Sequence, residues 1–505
     1  MRPGTSGTSP ETSEEDSEAG EEAAGLPPTI TLRDGRVIET GRGTGGRNSA
    51  GKPIKASFAC GKCGLSADVL KSVVAMNARE TVGQPQLAND CASCRAVAAN
   101  HHPAPVACYL LQCYDAARDT EGHPYNGRYF KVPDAADIER LIAAEREWTD
   151  RKDADLAGFW PKAELPHVWT THGWALPEHG YTHWYKMFNA RQLFIHALLL
   201  RQCAPGRGVK EDVRLQAAGA VQQYLRNQNL LCIWNEQADK LEPFLSNPYM
   251  RPRNTTVECN FTSSLGRGNW SSCIEGIVEG VADAAAPFDY VYGSGGIAKG
   301  KVFVGDRVVP GALVHNHSSS DMPAHWEGTV DLAITDPPFG EIMTYADMSD
   351  FFYVWLRLVL KQDYPEQFSA PFVPQTLEAI SNPFRNPGMV EEGPDAGLMT
   401  QADAFYLRMM TLCWAETARA LKPAGILAFT FHHDKDKTWA VVLRSLFDAG
   451  LYLEATYPVA SDESKGENQE FGAQKIGYDT IHVCRKRLEE PKPVSWPKMR
   501  QWVKA

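Results

Sequence analysis

The sequence predicts an α/β chain built on a mostly parallel sheet, with a cysteine-bearing module and a helical flank ahead of it. Two observations carry this expectation. The run Val330-Asp331-Leu332-Ala333-Ile334-Thr335 is apolar and β-branched and stops at Asp336-Pro337-Pro338-Phe339-Gly340, so the chain must leave a buried strand and turn sharply. The last third then alternates helical and strand patterns, which is the rhythm of a sheet covered by helices. In such sheets ligands sit beyond the carboxyl ends of the strands, where Asp336 falls.

The chain has 505 residues and a net charge of −11. Seven acids and one arginine lie in residues 1–24, so the N-terminal stretch carries −6 of that charge and the remainder, near −5, leaves room for a local basic groove. No apolar run approaches the roughly 20 residues that span a bilayer, and the N-terminus is acidic and polar, so no membrane partner and a cytoplasmic location are expected. Twelve cysteines without a secretion signal argue for thiols and metal ligands over a disulfide framework.

Residues 1–27 hold almost no large apolar side chains and are expected to be a disordered tail. Thr29–Leu32 and Arg36–Ile38, turned by Asp34-Gly35, read as a hairpin, and a Gly-rich segment follows over 41–51. Cys60-Gly61-Lys62-Cys63-Gly64 and Cys91-Ala92-Ser93-Cys94, 27 residues apart, form two Cys-x-x-Cys knuckles. Four thiolates at that spacing suit a structural zinc ion; a redox pair is the competing reading. His101, His102, Cys108 and Cys113 have no matching partners and read as packing or surface residues. Residues 115–180 suggest no role.

Trp184–Gln202 and Glu211–Trp234 show helical spacing on either side of Ala204-Pro205-Gly206. Asn189, Arg191 and Gln192 on the first helix would either reach phosphate or a base edge, or form a solvated polar face. Ser271–Ala286 reads as a helix and Val302–Val304 as a short strand ending at Gly305-Asp306. After the Asp336 turn, a helix is expected from Ser349 or Asp350 as cap, packed by Phe351, Phe352 and Trp355. Asp347 and Asp350 would then either assist the site or cap the helix and face solvent. The prolines and Asn-Pro pairs of residues 363–399 mark a long loop beside the site. Helix 402–421, strand 426–431, helix 437–447 and strands 452–457 and 480–484 complete the chain. His432 and His433, just past a strand end, would either line the site or serve the structure.

Asp336-Pro337-Pro338-Phe339 resembles the motif with which amino-group methyltransferases hold an amine, and the chemistry that this resemblance implies has a physical logic. An exocyclic amine on a nucleobase is a poor nucleophile, and it improves when acceptors hold its N–H groups. The Asp336 carboxylate and the Pro337 carbonyl are the expected acceptors. Pro338 shapes the loop, since proline fixes φ and lacks an N–H. Phe339 is expected to stack on an extruded base, a contact worth about 1–3 kcal/mol.

Asp336-Pro337-Pro338-Phe339 resembles the acceptor motif of amino-group methyltransferases. With the following Tyr345-Ala346-Asp347-Met348-Ser349-Asp350-Phe351-Phe352-Tyr353-Val354-Trp355-Leu356-Arg357, the upstream cysteine knuckles and the Phe188-Asn189-Ala190-Arg191-Gln192-Leu193 helix, the chain is similar to the adenine-specific DNA methylases that contain a zinc ribbon. In patches the resemblance covers residues 56 to about 487. It implies a Rossmann-like class I methyltransferase sheet whose last two strands pair antiparallel, S-adenosylmethionine as donor and adenine in DNA as acceptor. The zinc ribbon would position DNA.

The family also carries Asp-Pro-Phe-x-Gly-x-Gly on its first strand, ahead of the ribbon, and this sequence lacks it. Gly293-Ser294-Gly295-Gly296 has glycines but leads into a strand where a helix is required, and it reads as a turn or a substitute cofactor loop. Asp306 resembles the acid near the cofactor adenine. Three explanations compete: a second polypeptide carries the cofactor half, the reading frame is truncated, or the chain is a non-catalytic DNA-binding subunit. The sequence therefore favours adenine N6 methylation by the substrate-side part of a split or truncated enzyme. The alternatives are that DNA-binding subunit and a methyltransferase acting on RNA or a protein amide. The domains expected are a tail and linker over 1–55, a zinc-ribbon region over 56–150, a helical flank over 151–260, the methyltransferase-like domain over 261–490 and a tail over 491–505.

Overall fold

The computed structural model describes four short strands within residues 29–68, residues 108–460 apart from 109, 119–126, 167–175, 177–180, 236–239, 247–249, 251–255, 264–267, 293–297, 304–312 and 342, and residues 478–504 apart from 490–493. The chain divides into two units, Met1–Ala75 with Gly83–Asn100, and Met76–Val82 with His101–Ala505. Among the described residues, no helix is long and apolar enough to cross a membrane.

In the first unit, β1 (Thr29–Thr31) and β2 (Val37–Glu39) pair antiparallel, the hairpin expected of Asp34-Gly35. β3 (Ser57–Ala59) and β4 (Ser66–Asp68) extend it to a four-stranded sheet in the order β1-β2-β3-β4. Cys60 and Cys63 fall in the segment joining β3 to β4. Like Cys91 and Cys94, and like the expected tail over residues 1–27, they lie outside the described residues.

The second unit opens with the hairpin of β5 (Leu111–Tyr114) and β6 (Arg128–Lys131) and continues into helix α1 (Ala135–Arg151). Asp134 and Asp137 form a capping box at the start of α1, satisfying two of its orphan N–H groups. The expected helix over 184–202 is split in two. Residues 184–187 form a 3₁₀ turn, and α2 (Ala190–Gln202) starts afresh after Asn189. The break has a local cause, because Asn189 and Gln192 cap the new helix reciprocally.

α3 (Glu211–Asn227) and α4 (Trp270–Ala285) pack together, and the hairpins β7 (Ile233–Asn235) with β8 (Lys240–Glu242) and β9 (Phe288–Tyr292) with β10 (Ala298–Phe303) follow α3 and α4 respectively.

The first core gathers Trp148, Trp160, Trp184, Phe188 and Leu193. Helix α5 (Tyr345–Leu360), which follows the Asp336 turn, sends Phe351, Val354 and Trp355 into this core. Phe188 stacks on Phe351 and meets Trp355 edge-on, with ring centroids 5.5 and 5.1 Å apart. The helical flank and α5 are therefore one packed body.

The second core belongs to a mixed four-stranded sheet in the order β11-β12-β14-β13, built from β11 (Val330–Thr335), β12 (Leu421–Thr430), β13 (Leu451–Ala460) and β14 (Tyr478–Lys486). β11 runs parallel to β12, and β14 runs antiparallel to both β12 and β13. Helices α6 (Gln401–Ala420) and α7 (Asp436–Asp448) place Tyr406, Met410, Trp414, Val441 and Leu446 against Leu427, Phe429 and Phe431, so one face of the sheet is covered.

The expectation that β11 is buried is corrected. It is an edge strand, and Leu332 and Ile334 are 52% and 76% exposed. Both alternate onto the face away from α6 and α7, where they register with Ile426 and Ala428. The expected C-terminal tail is also part helix, α8 (Trp496–Lys504).

Candidate amine-acceptor site

The site starts from strand register. β11 and β12 are parallel, with Thr335 opposite Phe429, so their carboxyl ends stop side by side. Asp336 thus emerges next to Thr430, and the Thr430 hydroxyl donates to Asp336 Oδ1 at 2.5 Å. One carboxylate oxygen is thereby fixed, and among the described residues no hydrogen bond reaches the other.

The two prolines have different fates. The Pro338 carbonyl accepts from the Tyr406 hydroxyl at 2.6 Å and from Gly340 N at 3.1 Å. Among the described residues no hydrogen bond reaches the Pro337 carbonyl. It is the carbonyl that the sequence assigns to an amine.

Gly340 closes the turn at φ +67°, and a Cβ there would stand 2.9 Å from Thr438 Cγ2, so the position needs glycine for both conformation and space. The carbonyl of Gly340 accepts from Ser381 N at 3.2 Å, which ties the long loop to the turn.

Phe339 is half-buried and lies edge-on to Phe431 and His432, with centroids 5.2 and 4.8 Å away. The two histidines past β12 divide their roles. His433 is buried and accepts from Lys435 N at 3.0 Å; burial pushes its pKa down, against the charges of Glu341 and Asp434. It is a core residue. His432 faces Phe339, and its Nδ1 donates to Asp479 Oδ1 at 3.0 Å.

Asp347 and Asp350 correct the expectation of solvent-facing cap residues. Helix α5 begins earlier, at Tyr345, so both acids sit inside its first turns, 7% and 0% exposed. The capping expected of Ser349 or Asp350 does not occur for the same reason.

Arg385 donates to Asp347 at 2.7 Å and to Glu378 at 2.5 Å. Gln375 donates to Asp347 at 3.1 Å and to Asp350 at 3.4 Å, and Val373 N donates to Asp350 at 2.7 Å. Burial pushes both aspartates up to about 6; the Glu378 charge adds to the effect at Asp347, where Arg385 opposes it. The network pins residues 373–385 of the long loop onto α5. Burial, with the charges of Asp336 and Glu378, also raises the Tyr345 phenol, so α5 begins within electrostatic reach of Asp336.

Asn189, Arg191 and Gln192 do not join this site. Asn189 and Gln192 cap α2, and Arg191 pairs with Glu258 at 2.7 Å and Glu145 at 3.1 Å. All three are spent on internal bonds, so neither a base edge nor a solvated face describes them.

The donor side differs from the acceptor side. Residues 293–297, with the glycine cluster, join β9 to β10 of an antiparallel hairpin, so the cluster opens no helix of the kind that holds a methionine-containing donor. Asp306 lies outside the described residues. The described residues thus place the Asp336 carboxylate and the Pro337 carbonyl at the turn, and among them no glycine-rich turn opens a helix beside it. Nor do they contain a group of three or more His, Cys, Asp or Glu side chains arranged for a metal ion.

Thr430, Tyr406, Asp479, Glu378, Gln375 and Arg385 were not singled out from the sequence. Thr430 carried a usable signal, since it ends the strand that a parallel pairing sets beside Asp336.

No protein-family model matches the chain, and no curated protein matches it. Among solved structures, a selenomethionine derivative of a candidate DNA modification methylase from Thermus thermophilus shows 17% identity, covering 36% of this chain and 53% of its own, at a TM-score of 0.16. A superposition that shallow does not establish a shared function.

Proposed function

We propose that this chain supplies the amine-acceptor site of an S-adenosylmethionine-dependent DNA methyltransferase that modifies the 6-amino group of adenine. The observation that carries the reading is the turn itself. Asp336 is held by Thr430 at the ends of two parallel strands, no hydrogen bond among the described residues reaches the Pro337 carbonyl, and Phe339, next in the turn, packs its ring against Phe431 and His432. Two acceptors and an aromatic ring are what an extruded aminopurine needs. The order β11-β12-β14-β13, with the reversed β14 between parallel β12 and β13, agrees with the antiparallel closing pair expected of a class I methyltransferase sheet.

The donor supplies an electrophilic methyl group. The residues of this chain orient the amine and stabilise the positive charge that grows on its nitrogen. The donor's glycine-rich loop is assigned to residues beyond those described, on this chain or on a second polypeptide. In the first unit, Cys60, Cys63, Cys91 and Cys94 are proposed to hold a structural zinc ion. All four fall within the ranges of that unit, and the first pair falls between strands that form a hairpin.

The test is incubation of the chain, with and without the product of the adjacent upstream reading frame, with DNA and methyl-labelled S-adenosylmethionine, followed by digestion to nucleosides. Label in N6-methyladenine is expected. Label only in RNA or protein would redirect the substrate, and DNA binding without any methylated product would leave a binding subunit.

A further inference from the structure

The long loop after α5 returns to the Asp336 turn at Ser381 and is fixed there. Ser381 N donates to Gly340 O, in the residue that closes the turn, at 3.2 Å, and Ser381 Oγ donates to Asp403 Oδ1 on α6 at 2.8 Å. Residues 379–382 are buried. The chain then comes to the surface at Pro383 and Phe384 and goes back in at Arg385, whose guanidinium reaches Asp347 and Glu378.

The tip itself has little freedom. Asn382 Oδ1 accepts from Phe384 N at 2.9 Å and from Arg385 N at 3.3 Å, and Asn386 N donates to Asn382 O at 2.9 Å, so side chain and backbone both close the turn. Pro383 and Pro387 fix φ on either side.

What this mount presents is a phenyl ring. Phe384 is 48% exposed and belongs to neither core, while Ser381, Asn382 and Arg385 are spent on anchoring. A single exposed apolar residue is ordinary on a protein surface. An exposed ring held from both sides, on a loop hydrogen-bonded to the acceptor turn, is a positioned one. It stands three residues beyond Ser381, at most about 11 Å of chain from the contact with Gly340.

Bringing a base out of a duplex to Asp336 breaks its pairing and stacking and leaves a gap one base high, about 3.4 Å. An apolar side chain set into such a gap restores contact with the bases above and below. Phe339 belongs to the turn and would meet the extruded base, so the gap calls for a second ring close by. In the pinned segment 373–385, Phe384 is the one aromatic residue.

We propose that Phe384 is a wedge that enters the base stack of duplex DNA in the space left by the base extruded to Asp336. The inference rests on reading Asp336-Pro337-Pro338-Phe339 as an amine-acceptor site. It gives the loop a positioning role: the ring holds the duplex open, and the ion pairs of Arg385 hold the ring.

The experiment measures binding of an adenine-rich DNA duplex, of one of its strands alone and of 2′-deoxyadenosine to the full chain, native, Phe384→Ala and Phe384→Leu. Duplex affinity is expected to fall about tenfold in Phe384→Ala, the usual worth of a base stacked on an aromatic ring. The single strand and the nucleoside should bind within about twofold of native, as for an ordinary surface substitution. Phe384→Leu, still an apolar wedge, should keep most of the duplex affinity. Fluorine NMR of the chain labelled with para-fluorophenylalanine adds a readout that needs no loss of affinity. The resonance missing from Phe384→Leu belongs to position 384, and saturation with duplex should move it where nucleoside does not.

A loss shared by the single strand or the nucleoside marks a structural role and overturns the inference. So does duplex affinity unchanged in Phe384→Ala, a native chain that does not bind the duplex, or a position-384 resonance that the duplex leaves in place. Where any of these accompanies nucleoside binding that Asp336→Ala abolishes, the acceptor reading stands and this inference alone falls. No nucleoside binding by the native chain overturns both.

Discussion

The Thr430 hydroxyl donates to Asp336 Oδ1 at 2.5 Å, joining the carboxyl ends of β11 and β12. The bond costs the fold little to lose and orients the carboxylate. Thr430→Val is near isosteric and lies in a partly open position. Its unfolding free energy should stay within about 0.5 kcal/mol of native, while deoxyadenosine affinity drops about tenfold. Calorimetry and denaturant titration on the same preparation check both halves.

Tyr406 acts on the neighbouring carbonyl from inside the core. Tyr406→Phe removes the 2.6 Å bond to Pro338 O and keeps the ring that packs α6 against the sheet. The carbonyl retains Gly340 N. A loss of about 1 kcal/mol in urea unfolding is expected, with weaker nucleoside binding, because the turn is less firmly held. Unaltered binding would show that the turn keeps its shape without Tyr406.

Asp347 and Asp350 give stability a pH dependence of defined sign. Both are raised to about 6 by burial, against about 4 for an unfolded carboxyl. Between those values the native state binds more protons than the unfolded state. Stability should therefore be greatest below about pH 4 as far as these two groups are concerned, and should fall as pH rises through 6, by on the order of 1–3 kcal/mol for each. Asp350→Asn should flatten that fall in unfolding curves taken from pH 4.5 to 7.5. A native curve that rises across this window, with no flattening in the variant, contradicts the assignment.

Arg385 is the cation of that network, with Asp347 at 2.7 Å and Glu378 at 2.5 Å. Arg385→Ala strands two buried carboxylates and should cost about 3–5 kcal/mol at pH 7.5. Part of the loss should return at pH 5, where Asp347 takes up its proton. Protease cleavage within residues 373–385 should increase, since that segment loses its anchor.

Zinc should accompany the native chain through purification, and Cys60→Ser or Cys91→Ser should release it. A four-thiolate site has no open coordination position, so metal loss should weaken DNA binding and leave deoxyadenosine affinity unchanged. Native protein free of zinc contradicts the proposed site.

What the sequence made legible was whatever depends on local patterning. The hairpin at Asp34-Gly35, the helices of the last third, and the strand that stops at Asp336 all follow from turn residues and apolar period, and they stand where expected. The burial of Asp347 and Asp350 is hidden because the residues suited to start a helix lie at 349 and 350, while α5 begins at Tyr345, where Thr344 makes no side-chain cap and Glu378 of the distant loop accepts from Ala346 N at 2.9 Å. Their partners, Gln375, Glu378 and Arg385, come from a loop whose return to α5 no local pattern announces. Thr430 meets Asp336, and His432 meets Asp479, only through strand register, which is a property of the assembled sheet. The exposure of Ile334 was equally hidden, since an apolar β-branched residue reads the same on an edge as in a core.

The most direct measurement is transfer of labelled methyl from S-adenosylmethionine to DNA by the native chain and by Asp336→Ala, each with the upstream gene product present and the DNA digested to nucleosides. Labelled N6-methyladenine is expected from the native chain, with a loss of at least about a hundredfold in the variant. Equal label from both, or none from a folded, zinc-loaded native chain, would contradict an acceptor site built on Asp336.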